Sequence, residues 1–218
     1  MSRTASALPV VVLVSGNGSN LQAILDKAKA LDVEVREVIS DKPQARALER
    51  ARAAGIPTSV ITATDHLAQD AYDRALMQAI DLHGEPLVIL AGFMRILGAD
   101  FVRRYAGRLL NIHPSLLPRH RGLHTHRRAL EAGDTQHGCS VHFVTLELDA
   151  GQVIAQAPVP VKKDDDEAAL RVRVQAREHV IYPEVIGWFA GGRLRLEDGR
   201  VMFDGAPLDV PKIFPWQE

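Results

Sequence analysis

The run Pro9-Val10-Val11-Val12-Leu13-Val14 passes directly into Ser15-Gly16-Asn17-Gly18-Ser19-Asn20, after which Leu21, Ile24, Leu25 and Ala28 recur at helical spacing. A continuous β-branched run belongs to a strand covered on both faces, as in a parallel sheet flanked by helices. The pattern then repeats. A strand is expected over 33–39, a helix over 44–54 closed by Gly55, and a third strand over 58–61. A helix over about 68–82 precedes a buried strand over 86–91, and a short helix over about 100–105 precedes a strand over 108–112. Such alternation predicts an α/β fold: a three-layer, Rossmann-like, mostly parallel sheet with helices on both faces. Farther along, residues 125–131 read as helix ended by Gly133, and 138–145 and 153–161 as two strands joined closely enough for a hairpin. That predicts an antiparallel C-terminal part. Asp164-Asp165-Asp166-Glu167 places negative charge at the start of a helix carrying Leu170, Val174, Ile181, Val185 and Trp188, and the Asp198-Gly199 pair predicts a small hairpin in the tail.

The 218 residues are 46% hydrophobic and 24% charged, which suits a globular chain with a sizeable core. Formal net charge is −1, so no global basic field exists to hold nucleic acid or an anionic membrane, and neither is expected as a partner. Any anion must be bound locally. No apolar run approaches membrane-spanning length, and residues 1–7 are too short for a signal core before the first strand, so a cytoplasmic protein is expected. The single cysteine, Cys139, excludes an intrachain disulfide and agrees with a reducing compartment.

Local binding has an obvious candidate in the loop 15–20. A glycine-rich turn between a buried strand and a helix offers unpaired backbone N–H groups at the positive end of a helix dipole, a seat for phosphate. Its spacing is neither Gly-x-Gly-x-x-Gly nor Gly-x-x-x-x-Gly-Lys-Ser/Thr, so a single phosphate monoester fits better than a dinucleotide or triphosphate. The plainer alternative is a tight turn with Ser19 or Asn20 capping the helix.

A second candidate is Asn111-Ile112-His113-Pro114-Ser115-Leu116-Leu117-Pro118, where a strand ends and two prolines impose an extended loop. Strand alternation aims Asn111 and His113 to one side, and strand ends are where open α/β sheets bind ligands. A carboxylate from Asp149, if the fold brings it near, would favour the imidazolium form of His113, while Asn111 could donate to a developing oxyanion. Alone, Asp149 could equally be a turn former. His120, His124 and His126 invite a metal reading, but no recognised zinc spacing is completed and none is expected. Cys139 and His142 fall on opposite faces of their strand, so Cys139 reads as a buried small hydrophobe. Ala91-Gly92-Phe93-Met94-Arg95-Ile96-Leu97-Gly98 mixes apolar groups, glycines and one arginine, as would a loop against a flat heterocycle or residues at a helix entry.

Taken together, in order and spacing, the loop 15–20, the segments 91–97, 111–118 and 122–126, Ser140-Val141-His142-Phe143-Val144, Glu147-Leu148-Asp149 and 175–183 resemble the folate-dependent phosphoribosylglycinamide formyltransferases of purine synthesis. The resemblance spans about 10–189. It implies transfer of the formyl group of 10-formyltetrahydrofolate, the cosubstrate, to the amine of 5-phosphoribosylglycinamide, without a metal or covalent enzyme intermediate. It assigns Gly18, Ser19 and Asn20 to the substrate phosphate and Glu178 to the ribose. Met94, Arg95, Ile96, Leu97, Asn111 and Val144 go to the folate, and Asn111, His113 and Asp149 to catalysis. His113 would be the general acid/base, and Asp149 would tune it or hold a relay water. One domain, 1–218, is expected: a phosphate-binding half over about 9–105, a catalytic and folate-binding half over about 106–190, and a hairpin and tail over about 191–218. A monomer or homodimer is expected.

The chain departs from the family at two places. Gln69 stands where many bacterial relatives have a folate-contacting arginine, and Arg119-His120-Arg121 precedes Gly122 where a proline is frequent. The extra bases could attract the folate glutamate tail or be solvated. The alternative activity is that of formyltetrahydrofolate deformylase, with water as acceptor, although that relative usually carries an extra N-terminal domain. A formyltransferase acting on initiator tRNA would need a basic C-terminal domain. A noncatalytic binder would bind both ligands without turnover.

Overall fold

A computed structural model describes residues 7–66 and 68–217. Residues 1–6, most of the segment read above as too short for a signal core, lie outside the described residues. The chain forms β1 (Leu8–Val14), α1 (Ser19–Ala28), β2 (Val33–Ser40), α2 (Arg46–Ala53), β3 (Thr58–Val60), α3 (Gln69–Asp81) and β4 (Leu87–Leu90). It continues through α4 (Ala99–Arg104), β5 (Leu109–His113), α5 (Thr125–Glu131), β6 (Gln136–Phe143), β7 (Val153–Pro160) and α6 (Glu167–Ala190). Four short strands follow: β8 (Leu194–Glu197), β9 (Arg200–Phe203), β10 (Ala206–Pro207) and β11 (Lys212–Ile213).

Among the described residues, eight strands make one sheet in the order β3-β2-β1-β4-β5-β6-β7-β11. β1 is an interior strand, parallel to β2 and β4, with Val12 opposite Val38 on one side and Ile89 on the other. This placement explains its unbroken apolar sequence. Val10, Val12 and Val14 face α1, α2 and α6, whereas Val11 and Leu13 face Tyr72, Leu76 and Ile80 of α3 and Phe101 of α4. The expected three layers are therefore present. β6 runs antiparallel to both β5 and β7, which gives the expected antiparallel part.

The chain leaves β1 toward β2 and β3, then returns to the other side of β1 as β4. A crevice opens where the connections diverge, beyond the carboxyl ends of β1 and β4. Ser15 and Gly92, just past those ends, are joined by a backbone hydrogen bond of 3.2 Å, and the Ser15 hydroxyl accepts from Met94 N–H at 2.9 Å. Beneath this point, the Tyr182 hydroxyl of α6 lies 3.0 Å from the carbonyls of both Leu90 and Leu110, pinning the helix to β4 and β5.

The acidic run before α6 has a structural use. Asp166 caps the helix by accepting from Ala169 N–H at 2.7 Å, and Asp165 pairs with Arg173. The Asp198-Gly199 turn has positive φ at both residues, 48° and 75°, and joins β8 to β9 as expected. Beyond this hairpin the tail adds two more short strands. β10 adds a third strand to that hairpin, and β11 returns to the main sheet, parallel to β7. Its anchor is aromatic: Trp188 meets Phe203 and Phe214 with ring centroids 5.0 and 5.7 Å apart. Neither β10 nor β11 exceeds two residues, too short for a periodic signal. Among the described residues no helix is long and apolar enough to cross a membrane.

Candidate active site

Two adjoining cavities occupy the crevice. The smaller, about 430 Å³, is floored by the loop 15–20 and walled by Lys42, Gln175 and Glu178. Gly18 is the N-cap of α1 with φ 75°, and no side chain caps this helix. The capping alternative for Ser19 and Asn20 is thus not realised. Ser19 instead accepts from Gln175 Nε2 at 2.9 Å, and Asn20 donates to Glu178 Oε2 at 2.9 Å. The first-turn N–H groups have no side-chain cap, and no acidic residue occupies that turn to repel an anion.

Packing as well as φ requires glycine at position 18. A Cβ there would stand 2.6 Å from Ala47 Cβ and 2.7 Å from its Cα. Arg50 of α2 braces the loop by donating from Nε to the Asn17 carbonyl at 2.9 Å. Deep in the same cavity, burial pushes the Glu178 carboxyl above the ordinary carboxylate range, against the opposing effect of the Asn20 hydrogen bond. Asn20 Oδ1 is buried without a partner.

The larger cavity, about 550 Å³, is a predominantly apolar cleft with Asn111, His113, His142 and Asp149 at its polar end. Gly92, Met94, Ile112, Pro114, His126 and Arg171 line both cavities, so the polar cluster sits where they meet. Asn111 and His113 point from the same face of β5, roughly 6–7 Å apart along the strand. Asp149 arrives from the β6–β7 connection with φ 50°. Gly151 lets that connection lie against β6, since a Cβ there would overlap the Phe143 carbonyl oxygen.

The three expected residues do converge. His113 Nδ1 lies 3.3 Å from Asp149 Oδ2, with 8% of each side chain exposed, and that oxygen also accepts from Gly122 N–H at 2.9 Å. His113 Nε2 lies 3.1 Å from the His120 carbonyl, which can only accept, so this nitrogen carries a proton. The other ring nitrogen is therefore the edge turned toward Asp149 and the cleft.

Sequence reading did not identify His142 as a site residue, although its place in Ser140-Val141-His142 opposite Asn111 marks it once the strands are paired. Its Nδ1 donates to the Phe143 carbonyl at 2.9 Å, and burial pushes its pKa below the ordinary histidine range. The ring is therefore neutral with Nε2 as acceptor, and Asn111 Nδ2 donates to it at 3.1 Å. Although His142 Nε2 and Asp149 Oδ1 are only 3.8 Å apart, two acceptors at that separation make no ion pair.

The segment 93–97 forms one wall, braced from behind. Gln69 donates to the Ile96 carbonyl at 3.1 Å and to Asp73 at 2.7 Å, Asp73 accepts from Gly98 N–H at 2.7 Å, and the Arg95 guanidinium lies 4.5 Å from the Tyr72 ring centroid. Gln69 thus supports the wall without lining the cleft. Val144 lies on the cleft wall near the base, and Met94, Ile96, Leu123, Leu146 and Leu148 stand more than half exposed along the cleft. That is a large apolar surface of the kind that suits a flat or apolar ligand.

The histidines weighed for metal binding have separate partners. His120 pairs with Asp134 at 2.6 Å, His126 with His137 at 3.1 Å, and His124 is the exposed N-cap of α5. Among the described residues no group of three or more ligating side chains could hold a metal ion. Cys139 is fully buried in the core, and burial raises its thiol pKa well above the usual value. Arg119 pairs with Asp134 and Arg121 with Glu147.

A glycine-rich loop before an uncapped helix, a long apolar cleft and a polar cluster beside them are features that suit a two-substrate group transferase. The formyl transferase family matches residues 8–186, and the chain belongs to that family. It is 57% identical over 201 residues to phosphoribosylglycinamide formyltransferase of Escherichia coli, covering 91% of this chain and 95% of that one. The Haemophilus influenzae enzyme of that name is 43% identical over 201 residues, with the same coverage. A solved phosphoribosylglycinamide formyltransferase from Coxiella burnetii superposes with a TM-score of 0.91 at 50% identity, covering 95% of this chain and 99% of that one. Within its family the chain belongs with these phosphoribosylglycinamide formyltransferases.

Proposed function

We propose that this site transfers the formyl group of 10-formyltetrahydrofolate to the amine of 5-phosphoribosylglycinamide, with Asn111, His113 and Asp149 acting at the junction of the two cavities. The observation that carries the reading is that junction: the cavity at the amino end of α1 opens into the apolar cleft beside His113. One phosphate and a ribose suit the smaller cavity, with Gly18, Ser19 and Asn20 at the phosphate and Glu178 at the ribose. A pterin and its aryl extension suit the larger, against Met94 to Leu97 and Val144.

The cosubstrate supplies an activated formyl group, and the chain's residues hold both reactants and move protons. With His142 fixing one N–H of the Asn111 amide, the second N–H is free to donate to the formyl oxygen as negative charge develops there. His113 Nδ1–H donates to the same oxygen or delivers its proton to the departing nitrogen, while Nε2 stays anchored on the His120 carbonyl. Asp149, held by Gly122, stabilises the charged ring and accepts the amine proton directly or through a water. Simultaneous binding of both substrates supplies much of the acceleration by orientation. In this reading the protein is cytoplasmic and acts as a monomer or homodimer.

The test is a coupled assay with purified protein. Tetrahydrofolate formation that requires the amine substrate, and its loss in His113→Ala, is the expected result. Formate release without any amine would instead establish the hydrolytic alternative. Full turnover by His113→Ala would reject the assigned mechanism.

A further inference from the structure

Asp134 lies outside both cavities, just beyond α5, yet it is linked to the polar cluster through one residue. Its side chain is 8% exposed and holds two partners, His120 Nε2 at 2.6 Å and the Arg119 guanidinium Nη2 at 3.2 Å. The His120 hydrogen bond keeps its carboxyl below the usual carboxylate range, so it is ionised near neutral pH.

His120 has φ 53°, a conformation that an L-residue other than glycine keeps only where its surroundings hold it. Asp134 holds its ring. The Ser115 hydroxyl holds the preceding peptide by donating to the Arg119 carbonyl at 2.6 Å. On the far side, the His137 ring stands edge-on with its centroid 5.9 Å from that of His120. The outcome of these restraints is a carbonyl aimed at His113 Nε2, 3.1 Å away.

We propose that Asp134 is a positioning residue for the transfer reaction. Through His120 it fixes the carbonyl that anchors one edge of the His113 ring, and so decides which nitrogen faces the acyl carbon. The proposal rests on the reading of His113 as the acid/base group. Without the anchor, the imidazole samples other χ2 angles, and both the protonated edge and its direction toward the cleft are lost.

The experiment pairs kinetics with nitrogen-15 NMR of the histidine-labelled full chain, the His113 signals being assigned by their loss in His113→Gln. In Asp134→Asn we expect His113 Nε2 to shift by several ppm. We expect kcat to fall by about 5- to 30-fold with both KM values within about twofold, and Asp134→Glu to restore part of kcat. His120→Phe, which has no donor, cuts the same link from the other side while keeping the Asp134–Arg119 pair, and serves if Asp134→Asn does not fold. A folded variant whose His113 signals and kcat both match the wild type overturns the proposal. A shifted signal with unchanged kcat also overturns it. Full turnover by His113→Gln, with the Asp134→Asn shift still present, would instead overturn the catalytic reading of His113.

Discussion

The Asn111 side-chain amide donates to His142 Nε2 at 3.1 Å, and the Phe143 carbonyl, by accepting from His142 Nδ1–H, fixes the direction of that bond. A buried histidine kept neutral thus orients the amide of an asparagine that lines the cleft.

Replacing His142 by Phe keeps much of its volume and removes the acceptor. The Asn111 amide is then free to rotate, and kcat is expected to fall by about 10- to 100-fold, with the KM for the phosphorylated substrate changed less than about threefold. Steady-state kinetics check this. An unchanged kcat would show that Asn111 needs no such orientation.

Gly18→Ala should act on the other cavity. The added Cβ meets Ala47, and φ 75° is strained for alanine, so the loop must shift. A loss of about 1–3 kcal/mol in urea unfolding is expected, with KM for the phosphorylated substrate raised at least about tenfold and KM for the folate nearly unchanged. Equal rises in both KM values would disconnect this loop from phosphate.

Asp149→Asn retains shape and removes charge. A decrease in kcat of about 10² to 10⁴ is expected, because the amide no longer stabilises a charged His113 or accepts a proton. Single-turnover rates separate this from slow product release. A variant retaining more than about a third of the wild-type rate would contradict the role given to Asp149.

Acid should weaken the fold before its carboxylates are titrated. Burial depresses His126 and His137 to about 4 from an ordinary 6.5, with the Arg171 charge adding to the effect at His126 and neighbouring histidines adding to it at His137. Between those values the unfolded chain binds more protons than the folded one, so the stability these rings contribute is complete above about pH 6.5 and is lost as pH falls toward 4. Roughly 3 kcal/mol per ring should disappear over that span. Urea unfolding at several pH values measures the slope. His126→Asn/His137→Asn should flatten it, and an unaltered slope would place the acid sensitivity elsewhere.

Much of the architecture was legible because burial on both faces leaves a direct trace in sequence. The runs at 10–14 and 87–90 had to be central strands, and helices had to cover both sides. The Gly-rich turn was equally plain. Helix α2, by contrast, begins at Arg46 rather than at the expected residue 44, because Ala45 keeps an extended backbone. Strand β11 left no readable pattern at all. Two residues acquire strand geometry only because the β7 edge offers them partners.

The polar cluster divides in the same way. Residue types and strand alternation determined that Asn111 and His113 share a face at the end of a strand, and that a phosphate-sized anion could bind before α1. Only the tertiary structure decided that Asp149 reaches His113, that His142 orients Asn111, and that Asp134 and His120 anchor the opposite edge of the imidazole. The reason is physical. Periodicity fixes which way a side chain points from its own element, whereas hydrogen-bond partners far apart in the chain are set by strand register, loop closure and burial, which no local pattern encodes.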